Sequence, residues 1–289
     1  VGSEMCIRDR STTAVKAAAV TGSAGNITVT DAGLNVTEAR TIEALSNSGT
    51  NAYVVADTIS SVLTAPSSVV NSATAVSTSD ATLTVAEANS LVSKYGAAKV
   101  SDTSFVISDT AANLMGASAA AIAEAQANNG VVVSAGTATV AQALAINTAA
   151  GTKLNKATVD ISDTAANVLA ATADATNGAV VDTMNSITLS DAATVSQVTD
   201  INADLAGFAG GIATAEVATG YALTDTVANL KAAFGAAGAG NDGGVVDDAG
   251  TVTISGATNV ANVILVQAEM ARTAPAVTLG TNLVYSLSD

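Results

Sequence analysis

Aspartates recur along this chain in a regular series. Asp31, Asp57, Asp80, Asp109, Asp163, Asp191, Asp225 and Asp289 fall 23 to 34 residues apart once Ala135 and Gly256 fill two positions of the same series. A row of carboxylates can do two kinds of chemistry. It can hold calcium, a hard cation that takes several oxygen ligands, or it can accept from the free backbone N–H groups of helix N-termini. Replacement by Ala135 and Gly256 suits a cap better than a metal ladder. A second acidic cluster, Asp242, Asp247 and Asp248, sits by the glycine-rich stretch Gly238–Gly244. We read these three as candidate calcium ligands; their spacing is not that of an EF-hand, and a solvated acidic loop is the alternative.

Other chemistry is restricted by what is missing. The chain has no His, no Trp and one Cys, so it lacks the commonest general base and cannot form an internal disulfide or a thiolate zinc site. That Cys6 lies in the opening VGSEMCIRDR, which holds Arg8 and Arg10 and no Ala; outside it the only arginines are Arg40 and Arg272. A formal net charge of −15 argues against nucleic acid and anionic membrane surfaces as partners. No apolar run is long enough for a membrane span. No catalytic residues, and no cofactor other than calcium, are expected.

The elements that would position the aspartates follow from periodicity. Four residues before the anchors stand Ile27, Tyr53, Val76, Phe105, Val131, Val159, Ile187, Tyr221, Val252 and Tyr285; two before stand Val29, Val55, Thr78, Ile107, Val133, Ile161, Leu189, Leu223, Ile254 and Leu287. This period-2 pattern predicts a strand with one buried face. One before is Ser or Thr except at Ala56, giving a hydroxyl column that, with Thr28, Thr188 and Thr253, lines the outer face. After the anchors the period changes to that of a helix: Val85, Ala88, Leu91, Val92 and Tyr95; Ala111, Leu114, Met115, Ala121, Ile122 and Ala125, with Ser118 between; Val195, Val198, Ile201, Leu205 and Phe208. Asn113, Asn167 and Asn229 of the DTxAN segments are expected to hydrogen-bond a neighbouring turn.

Strands joined by helical crossovers pair in parallel. The expected architecture is therefore α/β: a repeat solenoid of about ten strand–helix units, with a parallel sheet on one face and a row of helices on the other. Residues 26–289 form the array, 11–25 lead into it, and 1–10 are an artefact or a disordered arm. Tyr285–Asp289 restarts the pattern of Tyr221–Asp225, so the array is expected to be truncated at its C-terminal end.

SDTAANL at 108–114 and TVAEA at 84–88 resemble the repeats of giant secreted and surface (adhesin-like) exoproteins of bacteria, over about residues 26–289. The opening decamer resembles translated sequencing-adapter read-through from metagenomic reading frames. Gly238–Gly244 is similar to one copy of the calcium-binding nonapeptide of β-roll exoproteins, which need several tandem copies. The adhesin-like resemblance implies an extracellular or cell-surface location and a non-enzymatic structural or adhesive role, with glycans, other surface components or neighbouring repeats as partners. A calcium-dependent binding module is the alternative. A solenoid polysaccharide-active enzyme would need Asp/Glu clustered with Arg/Lys in a groove, and no such cluster interrupts the pattern.

Overall fold

The computed structural model describes residues 5–7, 25–30, 33–45, 47–100, 105–208, 217–235, 244–273 and 283–287. Its strands are β1 (Met5–Ile7), β2 (Ile27–Val29), β3 (Asn51–Asp57), β4 (Ala73–Thr78), β5 (Thr82–Leu83), β6 (Val106–Asp109), β7 (Val131–Val133), β8 (Asp160–Asp163), β9 (Ser186–Leu189), β10 (Ala222–Asp225), β11 (Thr251–Thr258) and β12 (Leu283–Leu287). The chain divides into two compact units, one of residues 1–135 and 148–155, the other of 136–147 and 156–289.

The α/β class and the parallel pairing hold, but the ten-unit solenoid is not formed. The strands gather into four small parallel sheets, ordered β1-β2-β3-β4, β5-β6-β7, β8-β9 and β10-β11-β12. The breaks have a local cause. In segments of the form Asp-Thr, the Thr directly after the aspartate caps the helix: Thr58, Thr110 and Thr164 each accept from the backbone N–H three residues on. The strand then pairs with the next one along the chain, as β3 with β4, β6 with β7 and β8 with β9. In segments such as Asp80-Ala-Thr-Leu-Thr84 the cap comes three or four residues after the anchor. Asn35, Thr84 and Thr194 form capping boxes with Glu38, Glu87 and Gln197.

The intervening residue enters the sheet instead. Leu34, Leu83, Ala138 and Ala193, all buried, pair in parallel with Val55, Ile107, Ile161 and Leu223 of the following strand. Leu83, Ala138 and Ala193 occupy the edge that a continuous sheet would need, whereas beside Leu34 the strands β2 and β3 stay paired. The sheet is accordingly cut after β4, β7 and β9. Within the first ten residues, Met5–Ile7 pairs in parallel with Ile27–Val29.

The strand columns form the core. Ile27, Tyr53, Val55, Val76, Phe105, Ile107, Val159, Ile161, Leu223 and Val252 are essentially inaccessible. Tyr285 and Leu287, on the last described strand, are exposed. The helix Val85–Tyr95 buries Val85, Ala88, Leu91, Val92 and Tyr95, the stripe its periodicity predicts. The stripe over 111–125 needs correction. Two short helices, Ala111–Leu114 and Ala119–Glu124, replace one long one; Met115 is exposed, and Ser118 caps the second helix by accepting from the Ala121 N–H (3.1 Å). Asn89 of the preceding helix fixes this break. Its amide donates to the Gly116 carbonyl (3.0 Å) and its oxygen accepts from the Ser118 N–H (2.9 Å).

Candidate functional site

Of the described recurring aspartates, Asp57, Asp109, Asp163 and Asp225 lie at strand–helix junctions, as the capping reading expects, while Asp80 and Asp191 precede a short sheet contact; each reaches further than its own helix. Asp57, Asp80, Asp109, Asp163, Asp191 and Asp225 accept from the backbone N–H groups of Val36 (2.9 Å), Ile59 (2.5 Å), Val85 (3.1 Å), Val140 (3.0 Å), Ala165 (2.7 Å) and Val195 (3.0 Å). Each donor is the first residue of a helix that begins 21 to 30 residues upstream. A carboxylate placed there satisfies one of the orphan N–H groups of that helix and meets the positive end of its dipole.

In the Asp-Thr segments the second carboxylate oxygen works locally. Oδ1 of Asp109, Asp163 and Asp225 accepts from the N–H of Thr110, Thr164 and Thr226 and from the amide of Asn113, Asn167 and Asn229, the amide bonds all 2.7 Å. The recurring Asn thus bonds the aspartate of its own turn, four residues earlier, rather than a neighbouring one. Its purpose is to orient the carboxylate so that Oδ2 faces the preceding helix.

The opposite helix ends are served by lysines. Lys94 donates to the Leu63 and Ala65 carbonyls (2.6 and 2.7 Å), Lys99 to those of Val70 and Asn71 (2.9 and 3.2 Å), and Lys153 to those of Ala123 and Ala125 (2.5 and 2.7 Å). All three place a cation at the C-terminal carbonyls of an earlier helix, where the dipole is negative. Sequence reasoning missed this set. A lysine some 29 residues after a helix end was the only signal, and without the register it carries no meaning. Tyr95 adds a bond from its hydroxyl to the Val62 carbonyl (3.0 Å), and burial pushes its phenol up to about 12.

The ionisation of these groups follows from their contacts. Burial alone would raise the Asp163 carboxyl, but hydrogen bonds from Asn167, Thr164 and Val140 outweigh it and hold the group below its ordinary value. Asp109 behaves alike, with Asn113, Thr110 and Val85 as donors. Asp182 is the opposite case. It ends the helix Ala175–Val181, is buried, has one oxygen without a partner, and is raised by that burial.

The signs decide the pH profile. A depressed carboxyl stabilises the fold above the unfolded-state value near 4, and that contribution is lost as pH falls through and below it. A raised carboxyl costs stability above its folded-state value and ceases to cost it as pH falls. Asp182→Asn therefore raises the thermal midpoint at pH 7 and leaves it unchanged at pH 3.5. Asp163→Asn lowers the midpoint at pH 7, with a gap that narrows on acidification. Melts of the three proteins over pH 3 to 8 check both signs.

Of the expected calcium ligands, Asp242 lies outside the described residues, as do Asp31 and Asp289. Asp247 ends the short helix Gly244–Asp247, and the carbonyl of Asp248 accepts from the Gly220 N–H (2.6 Å). Among the described residues no group of three or more His, Cys, Asp or Glu side chains could hold a metal ion. The outer hydroxyl column is partly taken up by the sheet itself, since Thr188 Oγ1 donates to the Ile161 carbonyl (3.0 Å). An open depression of about 530 Å³ is lined by Leu63, Asn89, Ser90, Ser93 and Lys94. Lys94 and Asn89 there are already committed to backbone groups, which leaves two serine hydroxyls. Among the described residues no helix is long and apolar enough to cross a membrane. The chain matches no family model, no curated protein and no solved structure.

Proposed function

We propose that this chain is a non-enzymatic structural or adhesive segment of a large secreted or cell-surface bacterial protein. One observation carries the reading. Its described recurring aspartates and most of its described lysines are spent on tying helix ends to neighbouring segments, which is the use a structural scaffold makes of charge. A surface rich in Ser, Thr, Asn and Gly, and an acidic balance of 25 Asp+Glu against 10 Lys+Arg, favour an exposed setting outside the cell. Glycans or other cell-surface components are the partners such a surface would meet, through hydroxyl and amide groups rather than through a deep pocket.

Two measurements on the full chain test this. On a glycan array followed by a turnover assay, the expected result is retention without cleavage, or neither for a pure spacer; cleavage of any polysaccharide overturns the reading. Thermal melts in millimolar calcium and in chelator are expected to coincide, because the aspartate oxygens are already occupied by N–H donors. A clear rise in midpoint with calcium would instead identify a calcium-dependent binding module centred on Asp242, Asp247 and Asp248, since a ligand selective for the folded state stabilises it by mass action.

A further inference from the structure

Two asparagines in this chain precede a glycine, Asn129–Gly130 and Asn177–Gly178, and the fold treats them oppositely. An Asn–Gly pair is chemically labile because glycine puts no side chain in the way of its own nitrogen as that nitrogen approaches the preceding amide carbon. Whether the reaction runs depends on how firmly the backbone holds that nitrogen.

Asn177 lies in the helix Ala175–Val181, with its own N–H donating to Asp174 Oδ1 (2.8 Å). The Gly178 N–H donates to the Asp174 carbonyl (2.7 Å), and Gly178 is buried against the Phe208 ring. The nitrogen that would attack is therefore engaged. Asn129 is exposed, in the turn between the helix Ala119–Glu124 and β7. It is the one non-glycine residue with positive φ (55°) among the described residues, a conformation that asparagine tolerates better than most. Gly130 is buried, as Gly178 is, but its N–H donates to no described residue, so only at Asn177 is the attacking nitrogen held by a hydrogen bond. Nor can the pair be dissolved by changing the glycine: a Cβ at 130 would run into the Gln126 backbone.

We propose that Asn129 is a site of spontaneous deamidation. The Gly130 backbone nitrogen gives up its proton to solvent and attacks Cγ of Asn129. A new C–N bond closes a succinimide ring, the Cγ–Nδ2 bond breaks, and ammonia leaves. Water then adds to one of the two ring carbonyls, opening the ring to aspartate or to isoaspartate. No electrons are transferred, and the only co-reactant is water. The isoaspartyl product routes the main chain through the β-carbon of residue 129, immediately before Gly130. The Gly130 carbonyl there accepts from the Ile107 N–H (2.8 Å), a bond that ties β6 to β7. Modification thus adds a negative charge and lengthens the backbone at a sheet junction, so the site acts as an ageing clock for the first compact unit.

The test is peptide mapping by mass spectrometry after incubating the folded full chain at mildly alkaline pH, beside the same chain held in denaturant. In the folded protein the Asn129 peptide is expected to gain the mass of an NH2-to-OH exchange and to split into aspartyl and isoaspartyl forms, while the Asn177 peptide stays intact. In denaturant both convert. Asn129→Gln removes the modification at 129 and leaves the Asn177 result unchanged. The proposal is overturned if Asn129 stays an amide in the folded chain while converting in denaturant. It is equally overturned if Asn177 converts as fast as Asn129 in the folded state.

Discussion

Asp163→Ala is expected to lower the unfolding free energy by about 3 kcal/mol, because it strips the acceptor from three donors at once. Val140 N–H, Thr164 N–H and the Asn167 amide all point at this carboxylate, at 3.0, 2.8 and 2.7 Å. Asp163 is only 8% exposed, so water cannot freely take the place of the lost oxygens. Asp163→Asn keeps one acceptor oxygen and loses the charge, and should cost about half as much; Asn167→Ala removes one donor and should cost about 1 kcal/mol. Chemical denaturation gives the totals. Hydrogen exchange distinguishes a cross-segment tie from a merely local cap. Exchange at Val140, 23 residues away, must accelerate along with that at Thr164. If only Thr164 responds, Asp163 does not tie the two segments together.

Phe105→Ala is expected to cost about 4 kcal/mol, the range found when a fully buried aromatic is truncated in a core that cannot collapse around the void. Phe105 has no solvent exposure and is among the largest fully buried side chains of the chain, with Tyr53. The core around such residues is assembled mainly from Ala, Val, Ile and Leu, and the chain has only three Phe, four Tyr and no Trp to fill it. Small neighbours on fixed strands have little reach with which to refill the space. The Phe105 carbonyl also accepts from the Gln126 N–H (3.1 Å), so local movement would disturb the chain on both sides. Phe105→Leu retains most of the volume and should cost about 1.5 kcal/mol or less. Denaturant midpoints of the two variants test the difference; equal losses would mean that the site relaxes and the cavity argument fails.

Much of this could be read from residue types and spacing, and the physical reason is that burial is a local signal. A strand shows alternate residues to one face, so the columns headed by Tyr53 and Val55, or Phe105 and Ile107, had to be core. The stripe Val85–Ala88–Leu91–Val92–Tyr95 had to face inward for the same reason, at helical period. An acidic residue at a strand–helix junction had to meet backbone N–H groups. In each case the information lies within a few residues of the side chain concerned.

Partner choice across 20 to 30 residues is a different matter, and only the tertiary structure decided it. Two forms of anchor alternate along the chain, and both read as a strand followed by a helix. The few extra residues of the Asp80-Ala-Thr-Leu-Thr84 form let Leu83, and its counterparts Ala138 and Ala193, pair with the next strand where the parallel strands divide into four sheets; Leu34 pairs likewise, but there β2 and β3 remain joined. Asp57 and Asp163 look in sequence like caps of their own helices. Register hands that task to Thr58 and Thr164 and turns Oδ2 toward the helix before. The lysines at helix C-termini arise in the same way. Composition and period determined what is buried and where charge sits; which distant backbone group each charge holds depends on strand register and segment length, and those are set by the fold as a whole.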